Sequence, residues 1–165
     1  MTNVLILLRA VTYSALFAGL VLVFLPSRVL EASGIVKPDY IGIAQVGGMA
    51  ITACGAMLVL WCVLTFAMVG RGTPAPFDPP RRLVIRGPYR RVRNPMYIGA
   101  GLALTGAALF YKSVLLLGYA GSFLALVHLL VVLYEEPALR KTFGEEYDGY
   151  CRRVGRWRPR AQVDA

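Results

Sequence analysis

The sequence predicts an all-α integral membrane protein: a bundle of four transmembrane helices with an amphipathic helical segment at its C-terminal, cytoplasmic side. Three observations predict it. The chain is 57% hydrophobic and 16% charged, and 165 residues with so few charges cannot clothe the polar surface of a soluble domain. The charges are also clustered: residues 4–25 hold only Arg9, residues 41–69 hold none, and residues 96–134 hold only Lys112. Finally, the basic residues gather in two segments, seven arginines against the single acid Asp78 in residues 70–95, and seven more bases from Arg140 to Arg160.

A helix crosses the hydrocarbon core, roughly 30 Å, when its apolar run reaches about 20 residues. The first run, residues 4–25, reads as a retained helix rather than a secretory signal. Its only basic residue lies inside it, it outruns a signal core, and no small-residue cleavage site follows. The second run, residues 41–69, carries Gly48, Thr52 and Ala56 four apart. The third is nearly twice the length of one crossing, and Tyr111-Lys112-Ser113 divides it into helices over 96–111 and 113–134 joined by a tight turn. Gly99, Ala103 and Ala107 repeat the four-residue spacing there. Small residues in such rows predict close helix packing in lipid.

Pro74, Pro76, Pro79 and Pro80 keep the first part of the 70–95 loop irregular. Leu83-Val84-Ile85 then reads as extended, closed by a Gly87-Pro88 turn. Asn94-Pro95 opens the third helix with a good N-cap residue and a proline at the first helical position. In the tail, residues 135–165, the fourth helix leaves the membrane at Glu135-Glu136-Pro137, and Gly144 stops it. Tyr147, Tyr150, Cys151 and Val154 recur at helical spacing among charges, which predicts an amphipathic helix folded onto the bundle, with Trp157 as an interfacial anchor. Four crossings place both basic segments on one side, and the positive-inside rule makes that side, with both termini, cytoplasmic. Residues 1–165 form a single membrane domain.

A net charge of +9 is explained by this topology and by anionic membrane lipid as a partner, with no nucleic acid required. Cys54 and Cys62 fall within the second helix and Cys151 in a reducing tail, so no disulfide is expected, and no spacing resembles a metal site.

The groups able to do chemistry sit at the cytoplasmic end. Carboxylates at a membrane helix exit are costly and need a reason. Glu135 and Glu136 point about 100° apart on an α-helix and so cannot both face one site. His128, two turns before Glu135, shares a face with Val131 and Glu135. Glu135, Glu136 and His128 are the candidate catalytic residues. Opposite them, the start of the third helix offers unpaired N–H groups and a positive dipole end suited to an anion.

Gly87-Pro88-Tyr89, Arg93-Asn94-Pro95-Met96-Tyr97-Ile98-Gly99, Glu135-Glu136, Leu139, Phe143-Gly144, Tyr147 and Arg156-Trp157, in that order and spacing, resemble a superfamily of membrane methyltransferases. These are the isoprenylcysteine carboxyl methyltransferases and phospholipid N-methyltransferases. The resemblance covers residues 81–159. It implies an enzyme that uses S-adenosylmethionine, held at the cytoplasmic ends of the last helices beneath the C-terminal segment. It further implies that Leu83, Val84, Tyr89, Asn94, Pro95, Met96, Tyr97, Gly99 and Glu135 bind that cofactor. The chain departs from the pattern twice. Asn94 stands where members usually carry histidine, which removes a titrating group. Val131 stands where the prenylcysteine branch has an arginine for the substrate carboxylate, which argues against that substrate. The expected activity is methyl transfer to a lipidic or small apolar acceptor, with Glu135, Glu136 or His128 as base should the acceptor be an amine. The rival readings are a distantly related membrane reductase and a non-enzymatic module that binds anionic lipid.

Overall fold

The computed structural model describes residues 12–13, 15–35, 38, 40–70 and 82–160. Among them the chain is helical with no strand. Helix α1 is Ala15–Ala32, α2 Ile43–Val69, α3 Pro95–Tyr111 and α4 Val114–Leu130. A π-helical turn, Val131–Glu135, joins α4 without a break to α5, Glu136–Phe143, and α6, Glu145–Arg153, forms the tail. Three helices are long and apolar enough to span a bilayer: Ala15–Ala32, Ile43–Val69 and Val114–Phe143. The fourth apolar helix, α3, is shorter at 17 residues.

The first helix runs past the expected end at residue 25 to Ala32, the last continues to Phe143 and stops at Gly144 as expected, and both pass a proline on the way. A proline inside an α-helix removes a hydrogen bond and its ring strikes the carbonyl four residues back. Here a π-helical turn precedes each one, Gly19–Phe24 ahead of Pro26 and Val131–Glu135 ahead of Pro137. The wider turn makes room, and the helix runs on to Ala32 and Phe143. The expected helix over 4–25 thus extends to Ala32 among the described residues, while residues 4–11 and 14 of that span lie outside the described part. In α1 the freed Val21 carbonyl accepts the Tyr119 hydroxyl of α4 at 2.9 Å, one of the ties between α1 and the bundle.

Helices α2 and α3 are antiparallel and nearly in backbone contact. A methyl group added at Gly55 would stand 2.5 Å from the Gly99 carbonyl oxygen, and one at Gly48 would stand 2.6 Å from that of Gly106. Thr52 adds a hydrogen bond to the Ala103 carbonyl at 3.3 Å, and Gln45 one to that of Phe110 at 3.4 Å. The seam therefore runs Gly48-Thr52-Gly55-Val59 against Gly99-Ala103-Gly106-Phe110. Ala56 is exposed and Ala107 only half-buried. A strict four-residue row drifts about 40° per step around the helix, whereas alternating steps of four and three stay on one face.

At one end of the bundle α3 turns into α4 through Lys112, whose φ of 50° ends the helix, and Ser113 caps α4 through the Leu116 N–H at 3.1 Å. The Lys112 ammonium lies 5.8 Å from the Tyr40 ring, so the α1–α2 connection shares this end. Among the described residues, the arginine-rich stretches 82–93 and 140–160 lie at the other.

Candidate functional site

At the arginine end four pieces of chain converge: the last turns of α2, the segment 82–94, the start of α3, and the α4 exit with its tail. Leu83-Val84-Ile85 is extended, so its side chains alternate. Val84 turns inward to Cys62 of α2 and to Tyr89, while Leu83 and Ile85 pack on Tyr147, Tyr150 and Val154 of the tail. The segment is a wedge between helix and tail. Tyr89 is buried in a 3₁₀ turn, Gly87–Arg90. Its ring stands 5.8 Å from that of Phe66.

The tail is fastened back onto this wedge. The Tyr150 hydroxyl donates to the Tyr89 carbonyl at 2.6 Å, the Arg93 N–H to the Gly155 carbonyl at 2.9 Å, and the Asn94 amide to the Arg156 carbonyl at 3.3 Å. Burial pushes the Tyr147 and Tyr150 hydroxyls above their ordinary value, so both remain protonated donors across the physiological range. Asn94 precedes α3 but does not cap it with its side chain, whose Nδ2 donates to the tail instead. With Pro95 supplying no N–H, the Met96 and Tyr97 N–H groups open the helix without a side-chain partner.

The two adjacent glutamates part company. The Tyr97 hydroxyl donates to Oε1 of Glu135, joining the start of α3 to the exit of α4. Glu136, only 4% exposed, turns the other way. Arg156 grips it bidentately at 2.6 and 2.9 Å, and Arg93 approaches to 3.2 Å. Charge-assisted bidentate geometry is the strong form of this contact, and Glu136 in turn holds the Arg156 guanidinium above its ordinary pKa. Arg93 also reaches Cys151 at 2.6 Å and Tyr147 at 3.3 Å. Its Nε is buried without a partner among the described residues.

His128 does not join Glu135. Val131 is buried and Glu135 half-buried, but His128 is exposed, and its Nδ1 accepts the Trp157 indole N–H at 3.0 Å. The π turn explains the difference, since each residue in it advances less than the about 100° of an α-helix. Gly99 lies in the seam, where an added methyl would meet the Gly55 carbonyl at 2.8 Å. Of the other expected positions, Val84, Tyr89, Met96 and Tyr97 come together around the α2–α3 end, while Leu83 faces the tail. Arg93, Arg156 and Cys151 were not among the candidates read from sequence. The signal for the two arginines is Glu136 itself, since a buried carboxylate at a membrane helix exit requires cations.

A sequence profile described as phospholipid methyltransferase matches residues 43–146, well over half of the chain. No curated protein and no solved structure matches it. The matched stretch runs from the first residue of α2 into the first turn of α6, taking in the seam, the Asn94-Pro95 helix start and the Glu135-Glu136 exit. By that match the chain belongs to the phospholipid methyltransferase family of membrane methyltransferases.

Proposed function

We propose that the chain transfers a methyl group from S-adenosylmethionine to a lipidic or small apolar acceptor at the cytoplasmic face of the membrane. The observation that carries this reading is the Tyr97–Glu135 pair. A phenol and a carboxylate distant in sequence meet within the first turn of α3, beneath a tail held down at Tyr89, Arg93 and Asn94. The donor set fits such a cofactor. Tyr97 occupies Oε1 of Glu135 and leaves Oε2 for an ammonium or a ribose hydroxyl. The Met96 and Tyr97 N–H groups and the unpartnered Arg93 Nε suit a carboxylate. Val84 and Met96 supply apolar walls, and the Tyr89 and Tyr97 rings suit a sulfonium.

Bound, the cofactor supplies an activated methyl carbon. The protein's part is alignment and the exclusion of water. Tyr97 holds Glu135, and the clamp of Arg93 and Arg156 on Glu136 keeps the second carboxylate out of the site. For an amine acceptor, Glu135 is the group placed to take the proton; a carboxylate or thiolate acceptor needs none. Gly99 and His128 are accounted for by packing and by Trp157, and neither is assigned to the chemistry.

We take α3 as a fourth crossing. At about 26 Å it is short for the bilayer, yet it is bound along its length to α2, and its two ends lie with opposite ends of the bundle. Both basic segments then face the cytoplasm. The test is transfer of labelled methyl from S-adenosylmethionine into a total lipid extract by the purified protein in bilayers. A labelled species, abolished by Glu135→Gln, is expected; no labelled species in the extract sinks the lipid acceptor.

A further inference from the structure

We infer that Trp157 is the specificity-determining residue through which an acceptor from the bilayer gains access to the site, with His128 holding it in place. The inference rests on the methyltransferase reading above. His128 is the chain's only histidine and is exposed in α4, eight residues before Glu136, about 12 Å deeper along the axis. A polar ring facing hydrocarbon requires a partner. That partner comes from the tail: the Trp157 indole N–H donates to His128 Nδ1 at 3.0 Å, with ring centroids 6.0 Å apart.

The tail's geometry separates a fixed part from a part that can swing. Gly155 is bonded to Arg93, the Arg156 side chain grips Glu136, and the Arg156 carbonyl takes the Asn94 amide. Trp157, the next residue, leaves this clamp and lies along the side of α4. One face packs on the cluster that contains Tyr97, Val127 and Val131. The ring remains half-exposed on the other. On this inference an apolar molecule moving from lipid toward the Tyr97–Glu135 pair displaces the indole, which breaks its hydrogen bond to His128 while the Arg156 clamp stays closed.

The test uses the full chain in nanodiscs with Trp61→Phe, which leaves Trp157 as the only tryptophan, since the chain has two. The probe is phosphatidylcholine brominated on its acyl chains. Strong quenching of Trp157, changed by His128→Ala, is expected. An indole unquenched by the acyl-chain bromines, or quenching unaltered by His128→Ala, overturns the inference. In parallel, Trp157→Ala should change KM for labelled methyl transfer into the lipid extract several-fold with kcat retained, and Trp157→Phe, which keeps an aromatic ring but loses the N–H and the second ring of the indole, should move in the same direction as His128→Ala. A fall in kcat with KM unchanged contradicts the role. S-adenosylhomocysteine affinity should stay the same in Trp157→Ala and His128→Ala. Loss of that affinity in the parent chain instead counts against the enzyme reading and leaves the quenching result interpretable.

Discussion

At the scale of single residues, neighbouring glutamates hold different offices because their partners differ. Glu136 is buried and met by two arginines, a type of pair that is costly to break because it strands the remaining charges. Glu136→Gln should lower stability by about 3–5 kcal/mol, read as a fall in the denaturation midpoint in detergent. Arg156→Met should cost less, since Arg156 is itself about one-third exposed. That Glu135 and Glu136 diverge was legible from α-helical geometry alone. Which of them faces Tyr97 was not, because the π turn resets the phase and has no sequence signature beyond Pro137. The same reset separates His128 from Glu135.

At the scale of elements, the four-residue rows of small residues in α2 and α3 located the right pair of helices but only half of the right positions. Gly48, Thr52, Gly99 and Ala103 lie in the seam. Ala56 and Ala107 gave way to Gly55 and Gly106, because antiparallel helices that stay in contact over several turns need alternating steps of four and three. Gly55→Leu should therefore abolish the folded state in detergent, where a side chain would strike the α3 backbone, while Ala56→Leu, on the exposed face, should leave the denaturation midpoint within a few degrees. Equal tolerance of both would refute the seam. The turn ahead of Pro137 gives a second prediction. Pro137→Ala removes the clash that the π turn relieves, so helicity by circular dichroism should be retained while S-adenosylhomocysteine affinity falls, as Glu135 rotates away from Tyr97.

At the scale of the molecule, hydropathy and charge made the membrane class and the arginine-rich end legible. The fold-back of the tail onto residues 89–94 was visible only as an amphipathic pattern, since three of its hydrogen bonds end on the backbone carbonyls of Tyr89, Gly155 and Arg156, which no side-chain sequence announces. The fold-back places residues 82–94 and 136–160 at one end, opposite Lys112. Single cysteines at Lys112 and Arg158, with the native cysteines replaced, should react with a membrane-impermeant maleimide from opposite faces of oriented vesicles, Arg158→Cys from the cytoplasmic one. Labelling of both from one face would break the four-crossing topology. Glu135, presented by Tyr97, is expected to form part of an S-adenosylmethionine site. Calorimetric titration of the purified chain with S-adenosylhomocysteine tests it most directly. Binding by the parent protein is expected, weakened by Glu135→Gln by about 2 kcal/mol, roughly thirtyfold, for the loss of a charged hydrogen-bond acceptor. Absence of binding by the parent, or equal affinity in the two proteins, would contradict it.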